Sequence, residues 1–121
     1  IFKNCDMVCL TLPETTKTKK ILNKKIFKKM KKHSFIINTS RGDLIDENDL
    51  LTYLKKGYFS GIALDVFNKE PYYGGLSKFK RCILTPHIAS HTIDCRNRME
   101  IEATEDLINF FKRKSIINKV N

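Results

Sequence analysis

Four short, almost wholly apolar segments punctuate the chain at residues 7–12 (MVCLTL), 34–38 (SFIIN), 61–66 (GIALDV) and 82–84 (CIL). Each is too short for a buried helix and lacks the strict alternation of a half-solvated strand. Each therefore reads as a strand covered on both sides. The stretches between them carry helical patterning. Residues 23–32 put Ile26, Phe27 and Met30 on one side and lysines on the other, which predicts an amphipathic helix. Asp46 suits the N-cap of a helix running through Lys56. Glu47 and Asp49 would sit near its positive end, Leu50, Leu51 and Leu54 would face the core, and Gly57 would follow its C-cap. Residues 71–81 read as a loop. Thr92 can cap a last helix reaching about Lys112, with Met99, Ala103, Leu107 and Phe110 or Phe111 inward. Strands alternating with helices in this way predict an α/β fold, a parallel sheet with helices on both faces.

The chain has 121 residues, which suits one domain with one core. No apolar run approaches the roughly 18–20 residues a membrane-spanning helix needs. No basic-then-apolar leader precedes the first strand. Its first residue is Ile1, and the expectation is a piece of something longer. The four cysteines (Cys5, Cys9, Cys82 and Cys95) form no C-x-x-C pair and are too sparse for a disulfide-stapled module. Free thiols and a cytoplasmic location are expected.

The net charge of +10 is concentrated in residues 17–32, where nine of sixteen residues are lysine. A basic stripe can neutralise phosphates. Base reading and stacking, however, favour arginine and exposed aromatics, and this stretch holds no arginine and one aromatic, Phe27. The expected reading is a solvated helix face. Neither a nucleic-acid nor a membrane partner is expected.

Ligands of open parallel sheets bind at the carboxyl ends of the strands. Those ends carry Leu12-Pro13, then Asn38-Thr39-Ser40-Arg41-Gly42, then Asp65 with Glu70 shortly after, then Pro86-His87. An arginine fork matches a carboxylate bidentately, and a histidine titrates near neutrality. Together with an acid they form a kit for binding a carboxylate-bearing substrate and moving a proton. Each has a plainer alternative. Arg41 could pair with Asp43 or cap a helix, Glu70 could be an exposed loop acid, and His87 could be an ordinary loop histidine. Asp65 within an apolar strand needs a partner or a ligand. Two further arrangements of the same residue types have to be set beside this one. His87, His91 and Cys95 at i, i+4 and i+8 could bind zinc on a continuous helix, but Pro86 and the Thr92 cap argue that the helix starts later. Ser40 or Ser90 lacks the G-x-S-x-G elbow of a serine hydrolase. No metal site is expected.

In order and at similar spacing, the strings DMVCLTLP with Thr18 downstream, INTSRGDLIDENDLL, LKKGYFSGIALDVFNKEP and ILTPHIASHT resemble the D-isomer-specific 2-hydroxyacid dehydrogenases, the phosphoglycerate dehydrogenase-like family. The likeness runs over nearly the whole chain. It implies a Rossmann-like sheet of which only the second half is present: residues 1–121 form a partial NAD-binding domain ending in the helix that leads back to a substrate domain. It also implies that Arg41 grips the substrate carboxylate and that His87 is the acid/base at the keto oxygen. Glu70 would pair with His87 and keep it protonated. Asp65 would lie near the nicotinamide. Leu12, Thr39, Ser40, Arg41, His87, Ala89 and Ser90 would line the cofactor together with Asp65. The implied function is a fragment of an enzyme passing hydride between NAD, or NADP, and a small D-2-hydroxy or 2-keto acid, homodimeric at full length. Non-enzymatic corepressors that sense NAD share the fold and are the rival reading, and a truncated remnant with a scaffold role is a third.

Nothing assembles a G-x-G-x-x-G phosphate turn from the five glycines, Gly42, Gly57, Gly61, Gly74 and Gly75, and the ribose-binding acid that follows such a turn is missing with it. The isolated chain is therefore expected to bind NAD poorly, to be inactive, and to expose a sheet edge. Two positions and one stretch depart from the family pattern. Glu14 is charged where an apolar residue is usual, His91 is larger or more polar than usual, and the stretch between Glu70 and His87 is short.

Overall fold

A computed structural model of the chain describes residues 2–118. Strands β1 (Met7–Leu10), β2 (Phe35–Asn38), β3 (Gly61–Leu64) and β4 (Cys82–Leu84) pair in parallel in the order β1-β2-β3-β4. Val8 sits opposite Ile36, Ile36 opposite Ile62, and Ala63 opposite Ile83. Parallel neighbours need crossovers. These are α1 (Lys24–Phe27), α2 (Glu47–Lys55) and a 3₁₀ turn at Gly75–Lys78 within the stretch expected to be a loop. A last helix, α3 (Ile93–Phe111), follows. Residues up to Ile88 form one compact unit and those from Ala89 a second.

Helix α2 has the predicted ends. The Asp46 carboxylate accepts the Asp49 amide at 3.1 Å, and Gly57 takes the left-handed conformation (φ 65°) that releases the chain toward β3. Helix α1 is a single turn rather than the ten residues expected. Asn23 caps it, but Lys25, Lys28, Lys29 and Lys32 stand three and four residues apart, where like charges repel. His33, also left-handed (φ 63°), then turns the chain into β2.

Val8, Leu10, Ile36, Ile62 and Leu64 point to one face of the sheet and are buried with Leu22, Phe27, Met30, Leu50 and Leu54. Tyr53, Tyr58 and Phe59 add an aromatic cluster that the periodicity did not single out: Phe27 lies 5.3 Å from both Tyr53 and Phe59, ring centroid to centroid. On the opposite face, the alternate residues Met7, Phe35 and Ile83 are exposed. Within residues 2–88 the expected helices therefore cover one face of the sheet. The period of two sends every second side chain to the other side, whatever its polarity. Strands β1 and β4 are the edges of the sheet.

Helix α3 begins and ends as predicted, with Thr92 accepting the Cys95 amide at 3.2 Å. Its apolar residues differ from expectation. Met99, Leu107, Phe110 and Phe111, expected inward with Ala103, are exposed, and none of the helix is buried. A helical period says which face is apolar but not what covers it. The lysines of the basic run are exposed, and three pair with acids: Lys19 with Asp43, Lys20 with Asp46 and Lys31 with Asp6. All four cysteines are free thiols. Among the described residues, no helix is long and apolar enough to cross a membrane.

Candidate active site

The turn after β2 is folded by a residue to which sequence reading assigned no role. Buried Asn38 donates from Nδ2 to the Arg41 carbonyl at 2.8 Å and accepts the Ser40 amide at 3.0 Å. Ser40 Oγ donates to the Leu12 carbonyl at 2.6 Å, tying this turn to the segment after β1. Gly42 then lies so close to the chain leaving β3 that a Cβ would overlap the Phe67 carbonyl and the Asn68 amide. Only glycine lets the Arg41 turn and the Phe67 segment meet. A glycine directly after a strand-end arginine was the available signal, but close approach is not written in one segment alone.

Arg41 is exposed and extended, and its Nη1 donates to the Ser40 carbonyl at 2.7 Å. Among the described residues no carboxylate pairs with it. The suggested partner Asp43 is engaged elsewhere, 2.9 Å from Lys19 and hydrogen-bonded to Asn68. Lys19 and Asn68 hold its carboxyl below the ordinary aspartate value.

Asp65 follows β3 and is buried. Its Oδ1 accepts Thr85 Oγ1 at 2.5 Å and the Ile88 amide at 2.9 Å. These bonds bracket His87, whose backbone is left-handed (φ 55°). The partner that a carboxylate in an apolar strand requires is thus the turn after β4. Glu70 bridges the two strand ends. Its Oε1 accepts the Phe67 amide at 2.9 Å, and its Oε2 lies 2.8 Å from His87 Nδ1. Nε2 of His87 makes no hydrogen bond among the described residues. Arg41, Glu70 and His87 line one cavity of about 290 Å³, with Glu14, Asp43 and Phe67 on its walls. A larger and mostly apolar cavity, of about 620 Å³, shares Phe67 and Glu70 and adds Tyr72, Leu84, Thr85 and Pro86.

The imidazole of His87, and after it the Phe67 amide, hold the Glu70 carboxyl below the ordinary glutamate value. A carboxyl depressed by folding stabilises the folded chain fully above its unfolded pKa, and the contribution disappears as pH falls through its folded pKa. The wild type should therefore exceed Glu70→Gln in urea-unfolding free energy at neutral pH, and the gap should close as the solution is acidified past the glutamate range. A gap that is constant with pH would show that the pair contributes nothing through ionisation.

Of the other expected residues, Leu12 and Ser40 are half-buried and Thr39 is exposed at the same strand ends, while Ala89 and Ser90 belong to the second unit. The i, i+4, i+8 zinc arrangement has no helix to stand on, because α3 begins at Ile93, after both His87 and His91.

A parallel sheet in consecutive order, with polar and charged groups gathered where the strands end, defines the chain as part of a Rossmann-like nucleotide-binding domain. More specifically, the chain belongs to the D-isomer specific 2-hydroxyacid dehydrogenases, whose NAD binding domain matches residues 1–89. It is 40% identical over 122 residues to a glyoxylate reductase of Thermococcus litoralis, covering all of this chain and 37% of that protein. The solved glyoxylate reductase of Paecilomyes thermophila superposes with a TM-score of 0.92 at 32% identity, over 98% of this chain and 37% of that one. A D-isomer specific 2-hydroxyacid dehydrogenase of Xanthobacter autotrophicus, solved with NADPH and MES, gives a TM-score of 0.88 at 25% identity, over 99% of this chain and 50% of that one. The chain thus spans little more than a third of the curated relative's length.

Proposed function

We propose that the chain is the nicotinamide-side half of the cofactor domain of an oxidoreductase that interconverts a small 2-keto acid and its D-2-hydroxy acid. The observation that carries this is the Glu70–His87 pair at 2.8 Å, lining the same cavity as an arginine that forms no ion pair among the described residues. In this reading Arg41 holds the substrate carboxylate through its planar fork. Glu70 fixes Nδ1 of His87, and Nε2 is left to give a proton to the keto oxygen as negative charge builds there, or to take it back in oxidation. Asp65, by fastening Thr85 and Ile88, keeps His87 where this exchange is possible.

The residues at the strand ends fit a nicotinamide. Thr39, exposed at the end of β2, offers a hydroxyl, while Leu12 and Ser40, joined to each other by the Ser40 Oγ–Leu12 carbonyl bond, border it. When bound, the cofactor supplies or accepts the hydride. Ala89 and Ser90 complete its lining in the same proposal. NAD and NADP are both admitted, since the acid that would discriminate them has no counterpart in this sequence. Glyoxylate is the first substrate to try, because it is named in the relatives at about 40% identity. Relatives that are reductases favour this reading over a corepressor-like one. Homodimerisation of the longer enzyme and a cytoplasmic location belong to the same proposal.

The test has two arms. Isothermal titration of the 121-residue chain with NADH should give no micromolar binding, since the pyrophosphate turn is missing from this sequence. The longer enzyme should consume NADH or NADPH when glyoxylate is added. Micromolar binding by the chain would overturn the division of the cofactor site. An inert longer enzyme, tried also with larger keto acids, would overturn the reaction.

A further inference from the structure

Glu70 is held by the protein on its other side as well. The turn that carries it runs from Phe67 to Tyr72, and these two rings close it by stacking, 4.2 Å apart and 20° from parallel. The Phe67 amide is the group that grips Glu70 Oε1. Tyr72 in turn is anchored outside the turn. Its hydroxyl donates to Glu47 Oε1 at 2.5 Å, in the first turn of α2, and accepts the Leu76 amide at 3.1 Å. Helix α2 is seated in the core by Leu50, Tyr53 and Leu54, so the anchor is a rigid one. Gly74 makes room for it, because a Cβ there would overlap the Tyr72 hydroxyl. Burial and the Glu47 carboxylate push the phenol far above its ordinary value, so it remains a donor throughout the working range of pH.

We propose that Tyr72, hydrogen-bonded to Glu47 and stacked on Phe67, is a positioning residue that holds the Glu70 carboxylate against His87. The proposal rests on the proposed function above, in that the Glu70–His87 pair is the acid/base unit being positioned. Charge-assisted hydrogen bonds weaken steeply as distance and angle degrade. Releasing the phenol frees the ring stack to slide, and with it the Phe67 amide that sets the carboxylate's orientation.

The test is a carboxyl ¹³C NMR titration of Glu70 in the 121-residue chain. Tyr72→Phe keeps both rings and removes the anchor, and Gly74→Ala pushes the Tyr72 hydroxyl and the adjoining ring edge off their seat. Both should shift the Glu70 midpoint upward, toward the ordinary glutamate value. Glu47→Gln retains an acceptor for the phenol and should leave the midpoint near wild type, a response that simple loosening of the fold would not give. His87→Ala reports on the pair itself and should also raise the midpoint. If His87→Ala raises it while Tyr72→Phe and Gly74→Ala do not, the positioning role is wrong and the pair stands. If His87→Ala leaves it unchanged, the pair fails and the positioning role fails with it.

Discussion

In the longer enzyme of the proposed function, replacing His87 by glutamine is expected to lower kcat for keto-acid reduction by about 10²–10⁴-fold, the usual contribution of a positioned general acid or base. Glutamine can still donate an amide hydrogen to Glu70, so the loop between them keeps its shape, but it cannot deliver a proton at the far end of the side chain. The substrate carboxylate would still meet Arg41, whose turn is built by Asn38 and Gly42 and does not depend on the imidazole. KM for the acid should therefore change much less than kcat. Steady-state kinetics on wild type and variant separate the two. A fall in kcat of less than tenfold would mean that the proton comes from another group, and the assignment of His87 would be abandoned.

The second large effect concerns stability. Phe27→Ala should cost about 3–5 kcal/mol in urea-unfolding free energy, as for other truncated core aromatics. Phe27 has no exposed surface and lies 5.3 Å from both Tyr53 and Phe59, so one truncation removes two ring contacts of the aromatic cluster. A domain of this size is stable by about 5–15 kcal/mol, so the loss would consume a large part of the total. The helix that carries the residue is a single turn and contributes little by itself. Phe27→Leu, which refills most of the volume, should recover most of the loss. A cost below about 1.5 kcal/mol for the alanine variant would show that the surrounding side chains collapse into the space.

Local signals carried much of this fold. Asp46 and Gly57 marked the ends of α2 because a cap is satisfied within one turn of the chain. Thr92 marked the start of α3 for the same reason. The three residues of β4 stood out as an apolar run bounded by turn residues. The length of α1 was misread because the apolar pattern continued while like-charged lysines undid the helix. At the candidate site the residue types and their order were legible, since arginine, glutamate and histidine each follow a strand and strand ends share one edge. The roles of Asn38, Gly42 and Tyr72 were not. Each acts through a contact with a carbonyl, a close approach or a hydroxyl partner that no spacing rule encodes.

What the amino-acid order determined alone was the alternation of strand and helix, the capping of the helices, and the chemistry displayed at the strand tips. All of these depend on interactions within a few residues of one another. Tertiary structure alone decided that Asp43 pairs with Lys19 rather than with Arg41. It likewise decided that Asp65 fastens the turn bearing His87, and that the 2.8 Å pair with Glu70 spans seventeen positions of chain. Those outcomes are competitions between partners distant in sequence. They are settled by which groups the packed sheet brings within hydrogen-bonding reach.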